Sequence, residues 1–192
     1  MSTENNRPVL QIIIASTRPG RVGLPVGNWV ADAARRHGDF AVEISDLAEV
    51  DLPLFNEPRH PRLGQYEHDH TRNWSETIGG SDAFVFVFPE YNYGYTAPLK
   101  NALDYLSQEW AHKPVVLVSY GGVSGGLRAA TGLQPVLTAL RLLTTAGALP
   151  IPGVANLVRD GVFEPTESLS GQLESILTEL ARIIPIATRM RQ

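Results

Sequence analysis

Three short apolar runs, Val9–Ala15, Ala83–Phe88 and Pro114–Val118, most limit what this chain can fold into. Each is too short for a helix and rich in β-branched or aromatic residues, the pattern of a strand covered on both faces. A fourth stretch sets Phe40, Val42 and Ile44 against Ala41, Glu43 and Ser45, which reads as a half-buried strand near an edge. Ala148–Pro152 is a short fifth strand whose prolines limit its pairing. Helical periodicity fills the gaps. Val26, Trp29, Val30, Ala33 and Ala34 share one face, as do Leu99, Ala102, Leu103 and Leu106, and later Leu173, Ile176, Leu177, Leu180 and Ile183. A polar helix is expected over Tyr66–Ile78, and one bearing Leu133, Val136, Leu137 and Leu140, broken or kinked near Gly132 and Pro135, closes at Gly147. Strands alternating with helices predict an α/β fold of three layers around a five-stranded parallel sheet. The most apolar strands belong at its centre and the second outside the first, giving the order 2-1-3-4-5 in one domain over residues 1–192.

Composition narrows the function. With 43% hydrophobic and 19% charged residues the chain has material for one good core, and a net charge of -4 with scattered Arg and Lys leaves no footprint for nucleic acid. There is no cysteine, so disulfides, thiolate metal sites and thiol nucleophiles are excluded. The polar stretch Met1–Arg7 lacks a signal-peptide core and no run approaches the ~20 apolar residues of a membrane span. A cytoplasmic protein with no membrane partner is expected.

The turns after strands one, three and four carry the chemistry. Ser16-Thr17-Arg18-Pro19-Gly20-Arg21-Val22-Gly23 brings hydroxyls, guanidinium groups and glycines to a helix start, where unpaired N–H groups and the helix dipole favour a phosphate. Neither a Gly-x-Gly-x-x-Gly turn nor a Gly-Lys-Ser/Thr loop is present, which leaves a phosphomonoester as the expected anion. After strand three, Pro89-Glu90-Tyr91-Asn92-Tyr93 leads to Thr96, a helix cap, and Pro98 in the first turn. After strand four, Ser119-Tyr120-Gly121-Gly122-Val123-Ser124-Gly125-Gly126 has four glycines in eight residues, so its backbone can approach a flat ligand. In the expected strand order all three turns leave the same edge, where open α/β sheets bind ligands.

Pro89-Glu90-Tyr91-Asn92-Tyr93 followed by Pro98-Leu99-Lys100-Asn101-Ala102-Leu103-Asp104-Tyr105-Leu106 resembles the signature of the NADPH-dependent FMN reductase family, flavodoxin-like quinone, azo-dye and chromate reductases. The resemblance implies a flavodoxin-like fold, bound FMN, NADPH or NADH as reductant, a small-molecule electron acceptor and a homodimer or homotetramer. It places the FMN phosphate on Ser16 and Arg18, with Thr17 and the backbone toward Gly23 beside it; Arg21 and Gly23 stand where the family commonly has Ser and Asn. Pro89, Glu90, Tyr91, Asn92 and Tyr93 are expected along one side of the isoalloxazine, and Ser119, Tyr120, Gly121 and Gly122 at its pyrimidine end. No catalytic side chain is assigned: flavin N5 takes the hydride, the protein contributes placement and electrostatics, and an exposed flavin face gives ping-pong kinetics. Family members pair through the helix after strand three, for which Leu103, Leu106 and Trp110 offer apolar area.

Rival readings are weaker. Gly122-Val123-Ser124-Gly125-Gly126 fits a hydrolase nucleophile elbow, but all five histidines precede Ser124, against the Ser, acid, His order of that fold. His68-Asp69-His70 hints at metal, but helical residues two apart diverge, so a solvated face is expected and no metal site is assigned. A flavodoxin-type electron carrier or flavin sensor, without NAD(P)H oxidation of its own, is the main functional alternative.

Overall fold

The computed structural model describes residues 7–144 and 146–191; most of the polar N-terminal stretch and Thr145 lie outside them. Five strands, β1 (Val9–Ile14), β2 (Ala41–Asp46), β3 (Ala83–Pro89), β4 (Val115–Tyr120) and β5 (Ala148–Ile151), form one parallel sheet in the order β2-β1-β3-β4-β5. This is the order expected from the sequence. β1, β3 and β4 are central and almost wholly buried, as runs without polar alternation require.

Successive side chains feed opposite faces of the sheet. Leu10, Ile12, Val85, Val87, Val116 and Val118 pack under α1 (Gly23–His37) and α6 (Glu167–Arg189). Ile13, Phe84, Phe86, Phe88 and Leu117 pack under α3 (Asp69–Gly79), α4 (Ala97–Asp104) and α5 (Leu127–Ala139). Phe84, Phe86 and Phe88 have no exposed surface, and each such burial stabilises the fold by about 2–3 kcal/mol. A one-turn helix, α2 (Leu47–Val50), follows β2.

Several boundaries depart from expectation. α3 begins at Asp69, because Tyr66 to His68 belong to the preceding connection. β4 runs two residues further than its apolar stretch, to Tyr120, and Pro89 closes β3 opposite it. α5 contains Pro135 without breaking at Gly132; it ends at Ala139, capped by Leu140, Arg141 turns back with φ 61°, and Gly147 instead precedes β5. On α6, Leu173, Leu177, Leu180 and Ile184 are buried, while Ile176 and Ile183 pack against the same core half-buried. The segment Gly153–Pro165 carries a two-stranded antiparallel hairpin, β6 (Val158–Arg159) and β7 (Val162–Phe163), turned by Asp160 and Gly161 with φ 49° and 78°. Trp29 of α1 packs on Phe163 of this hairpin, with ring centroids 5.0 Å apart.

Leu103, Leu106 and Trp110 are at most 1% exposed within the single chain. Their apolar area is spent on the chain's own core, where Trp110 meets Trp74, Phe84 and Phe86, so it cannot form a subunit contact. No helix among the described residues is long and apolar enough to cross a membrane.

Candidate functional site

Parallel strands deliver all their following turns to one edge, and here the turns after β1, β3 and β4 touch. Thr96 caps α4 by accepting from Leu99 N–H and also donates to Ala15 C=O at 2.7 Å, tying the turn after β3 to the end of β1. Ser16 Oγ lies 3.2 Å from Tyr91 Oη. Glu90 N–H donates to Tyr120 C=O at 2.9 Å, joining the turns after β3 and β4.

In the first turn the residues divide into supports and an open rim. Arg21 is a support. It pairs through both guanidinium nitrogens with Asp46 and donates to Ser16 C=O at 2.7 Å, and the two ionic side chains are only 14% and 4% exposed. The sequence sets Arg21 beside the expected phosphate site without assigning it a role there; a carboxylate at the end of β2, 25 residues on, has already claimed it. Asp46 also accepts from Ala48 N–H and so caps α2. Thr17 and Arg18 are exposed, and the Arg18 side chain makes no hydrogen bond or ion pair among the described residues. The N–H groups of Thr17, Arg18, Gly20, Gly23 and Leu24 are likewise unpaired among the described residues. Gly20, at φ 68°, has nothing within 4 Å of where a Cβ would sit. An open, donor-rich turn on the positive end of a 15-residue helix fits a phosphate, and with it the FMN implied by the sequence.

Ser16 itself is 1% exposed, beneath Tyr91. Gly23 is buried in the first turn of α1, where any Cβ would lie 2.5 Å from Tyr120 Oη. A cavity of about 700 Å³ lies against Thr17, Arg18, Gly20 and Leu24 and reaches the β6–β7 hairpin at Val158 and Gly161. A second, of about 340 Å³, lies on the other side of Thr17 against Ala48, Leu52, Leu54, Ala97 and Asn101. Both are of ligand size.

The turn after β3 is a tight reversal: Tyr91 and Gly94 exchange two 2.9 Å backbone bonds, and Asn92 and Tyr93 take φ 49° and 68°. A left-handed tyrosine is uncommon, and such strain gathers at functional sites. Tyr93 is 71% exposed, with the Arg128 guanidinium 4.1 Å from its ring centroid. Glu90 turns inward. Its carboxylate accepts from Ser124 Oγ, Arg128 N–H and Ala129 N–H and pairs with Arg128, closing the start of α5.

In the turn after β4 the Ser119 and Tyr120 side chains are buried. Ser119 Oγ is buried and donates to Gly125 C=O at 2.9 Å, while the Tyr120 ring lies in the core. Burial above all pushes the Tyr120 phenol above its ordinary pKa. Gly121 N–H donates to Ile151 C=O, leaving Gly122 and Val123 N–H without a partner among the described residues. Gly126, at φ 86°, could not bear a Cβ, which would fall 2.7 Å from Ser119 Cβ and 2.8 Å from Tyr120 N. Ser124 hydrogen-bonds Glu90 and Gly126 but no histidine.

The His68 and His70 rings stack with centroids 5.0 Å apart, contrary to the divergence expected of two helical residues. The reason is that His68 precedes α3 in extended backbone. Parallel rings direct their lone pairs side by side and not at one ion; both Nε2 atoms instead meet Asn56.

Sequence reasoning missed Asp46, Arg128 and the hairpin wall. Asp160-Gly161 was a readable hairpin signal; nothing local announced the two ion pairs.

The sheet order and the anion-fitting rim define a flavodoxin-like α/β protein. A family model described as NADPH-dependent FMN reductase matches residues 9–155. An NAD(P)H-dependent FMN reductase of Schizosaccharomyces pombe is 36% identical over 183 residues, covering 92% of this chain and 90% of its own. A similarly named protein of Saccharomyces cerevisiae is 35% identical over 186 residues, covering 90% and 95%. Among solved structures, the flavoenzyme NAD(P)H:(acceptor) oxidoreductase FerB of Paracoccus denitrificans shares the fold with TM-score 0.75 at 21% identity, over 93% of this chain and 98% of that one. The chain belongs to the NADPH-dependent FMN reductase family and is an oxidoreductase, of a family that uses NAD(P)H as reductant and FMN as flavin.

Proposed function

We propose that this chain, as a single domain in the cytoplasm, holds FMN at the carboxyl edge of its sheet and passes electrons from NADPH or NADH to a small acceptor in ping-pong order. The acceptor class is free flavin, quinone, azo compound or oxidised metal ion. Relatives named as azoreductase and quinone oxidoreductase support that range. The observation that carries the reading is the contact of the three turns at one rim, through Ser16 with Tyr91 and Glu90 with Tyr120.

Thr17, Arg18 and the free N–H groups at the start of α1 would hold the phosphate, with Arg18 offsetting its charge. Tyr91 to Tyr93 would flank the ring on one side and the Gly122 backbone would approach it on the other. When bound, the flavin supplies the hydride and electron chemistry. Glu90 fixes Arg128, and Arg128 holds the Tyr93 ring at the rim, so the wall is set before a ligand arrives. The Gly122 and Val123 N–H groups can donate to negative charge there. No nucleic acid or membrane takes part, and the working form is a homodimer or homotetramer.

The test is NADPH consumption by the purified chain with a quinone, followed with its absorption spectrum. Turnover with a bound-flavin spectrum is expected. A flavin spectrum without turnover would favour an electron carrier.

A further inference from the structure

One residue closes the turn between β1 and α1 on itself. Arg21 N–H donates to Arg18 C=O at 3.1 Å, and Arg21 Nη1 donates to Ser16 C=O at 2.7 Å. Between them stand Pro19 and Gly20, the latter at φ 68°, the residue order of a type II turn. Asp46 holds the guanidinium in turn, accepting from Nη1 at 2.8 Å and from Nη2. Three of the five guanidinium N–H groups are thereby used, on a side chain only 14% exposed.

A trans peptide unit points its C=O and its N–H in opposite directions. Ser16 C=O faces the Arg21 guanidinium, so the Thr17 N–H of the same unit faces away from it, and that N–H has no partner among the described residues. Charge works the same way. Asp46 alone would repel a phosphate held at this turn, but paired with Arg21 it carries no net charge, and Arg18 remains as the cation without a partner among the described residues. α1 begins without a side-chain cap, so its first N–H groups extend the same row of donors.

We propose that Arg21, backed by Asp46, is a positioning residue for the phosphate of FMN: it sets the Ser16–Thr17 peptide so that Thr17 N–H is presented to the anion, and it does not bind the phosphate itself. This rests on the rim being the flavin site. It gives the two arginines of the turn separate tasks, Arg18 contacting the anion and Arg21 shaping the backbone that receives it.

The experiment titrates the chain with FMN and, in parallel, with riboflavin, which has the same ring and no phosphate, both read by quenching of flavin fluorescence. The variants are Arg21→Met, Asp46→Ala, the double variant Arg21→Met with Asp46→Asn, and Arg18→Ala; thermal unfolding of each ligand-free chain is followed beside them. The double variant buries no charge and keeps a side-chain oxygen for Ala48 N–H, so it should unfold near the wild-type temperature. It should nevertheless bind FMN about tenfold more weakly than wild type, as should both single variants, with riboflavin affinity unchanged throughout. Wild-type FMN affinity in the double variant would overturn the proposal and leave the pair as a fold element alone. Weaker FMN binding in Arg21→Met but equal or tighter binding in Asp46→Ala would also overturn it, because a released Arg21 would then be a phosphate ligand. Equal losses for FMN and riboflavin would do the same, placing the effect outside the phosphate turn. Wild-type FMN affinity in every variant including Arg18→Ala, or no FMN binding by wild type, would overturn the flavin-site reading as well.

Discussion

Arg18 and Arg21 stand three positions apart in one turn, yet they do opposite work. Arg21 is consumed by Asp46, a pair whose side chains are 14% and 4% exposed, and removing one partner of so buried a pair leaves an uncompensated charge. Asp46→Ala should therefore cost about 3 kcal/mol in a urea unfolding titration. Arg18 is exposed and its side chain has no partner among the described residues. Arg18→Ala should leave unfolding unchanged within about 0.5 kcal/mol while weakening FMN at least about tenfold, the usual worth of a charge-assisted hydrogen bond. Sequence alone ranks the two arginines equally, because what separates them is a carboxylate on a neighbouring strand.

At the scale of elements, the turn between β4 and α5 is shaped by where a Cβ fits. Gly126 has φ 86° and two atoms within 2.8 Å of a Cβ position, whereas Gly122 has open space. Gly126→Ala should destabilise the chain by about 1–3 kcal/mol, and Gly122→Ala should leave its unfolding midpoint in place. At the far end of α3, Lys113 Nζ donates to Ile78 and Gly79 C=O, closing that helix. Burial, with Arg191 near, lowers Lys113 to about 8. The unfolded chain keeps this proton up to an ordinary 10.5, so between about 8 and 10.5 the unfolded state binds more protons and stability rises with pH. Thermal unfolding across that window should show this rise in wild type relative to Lys113→Met; parallel curves would contradict it.

For the whole molecule, the sheet was legible because β1, β3 and β4 carry no polar alternation and β2 does, which fixes centre and edge together. The candidate rim was legible as three turns, since parallel strands send every following turn to one edge. Side-chain directions within it were not. Tyr120 and Ser119 look like turn residues but end a strand, and a strand's last side chains point into the layers on either side. Leu103, Leu106 and Trp110 read equally well as core or interface, and packing against Trp74 and the β3 phenylalanines settled it for the core. The proposal that this rim holds flavin is tested most directly by titrating the ligand-free chain with FMN and following fluorescence quenching. Saturation at about one FMN per chain, lost or shifted to higher concentration in Arg18→Ala, is expected from a one-rim site. A chain that leaves flavin fluorescence unquenched at every concentration would contradict it.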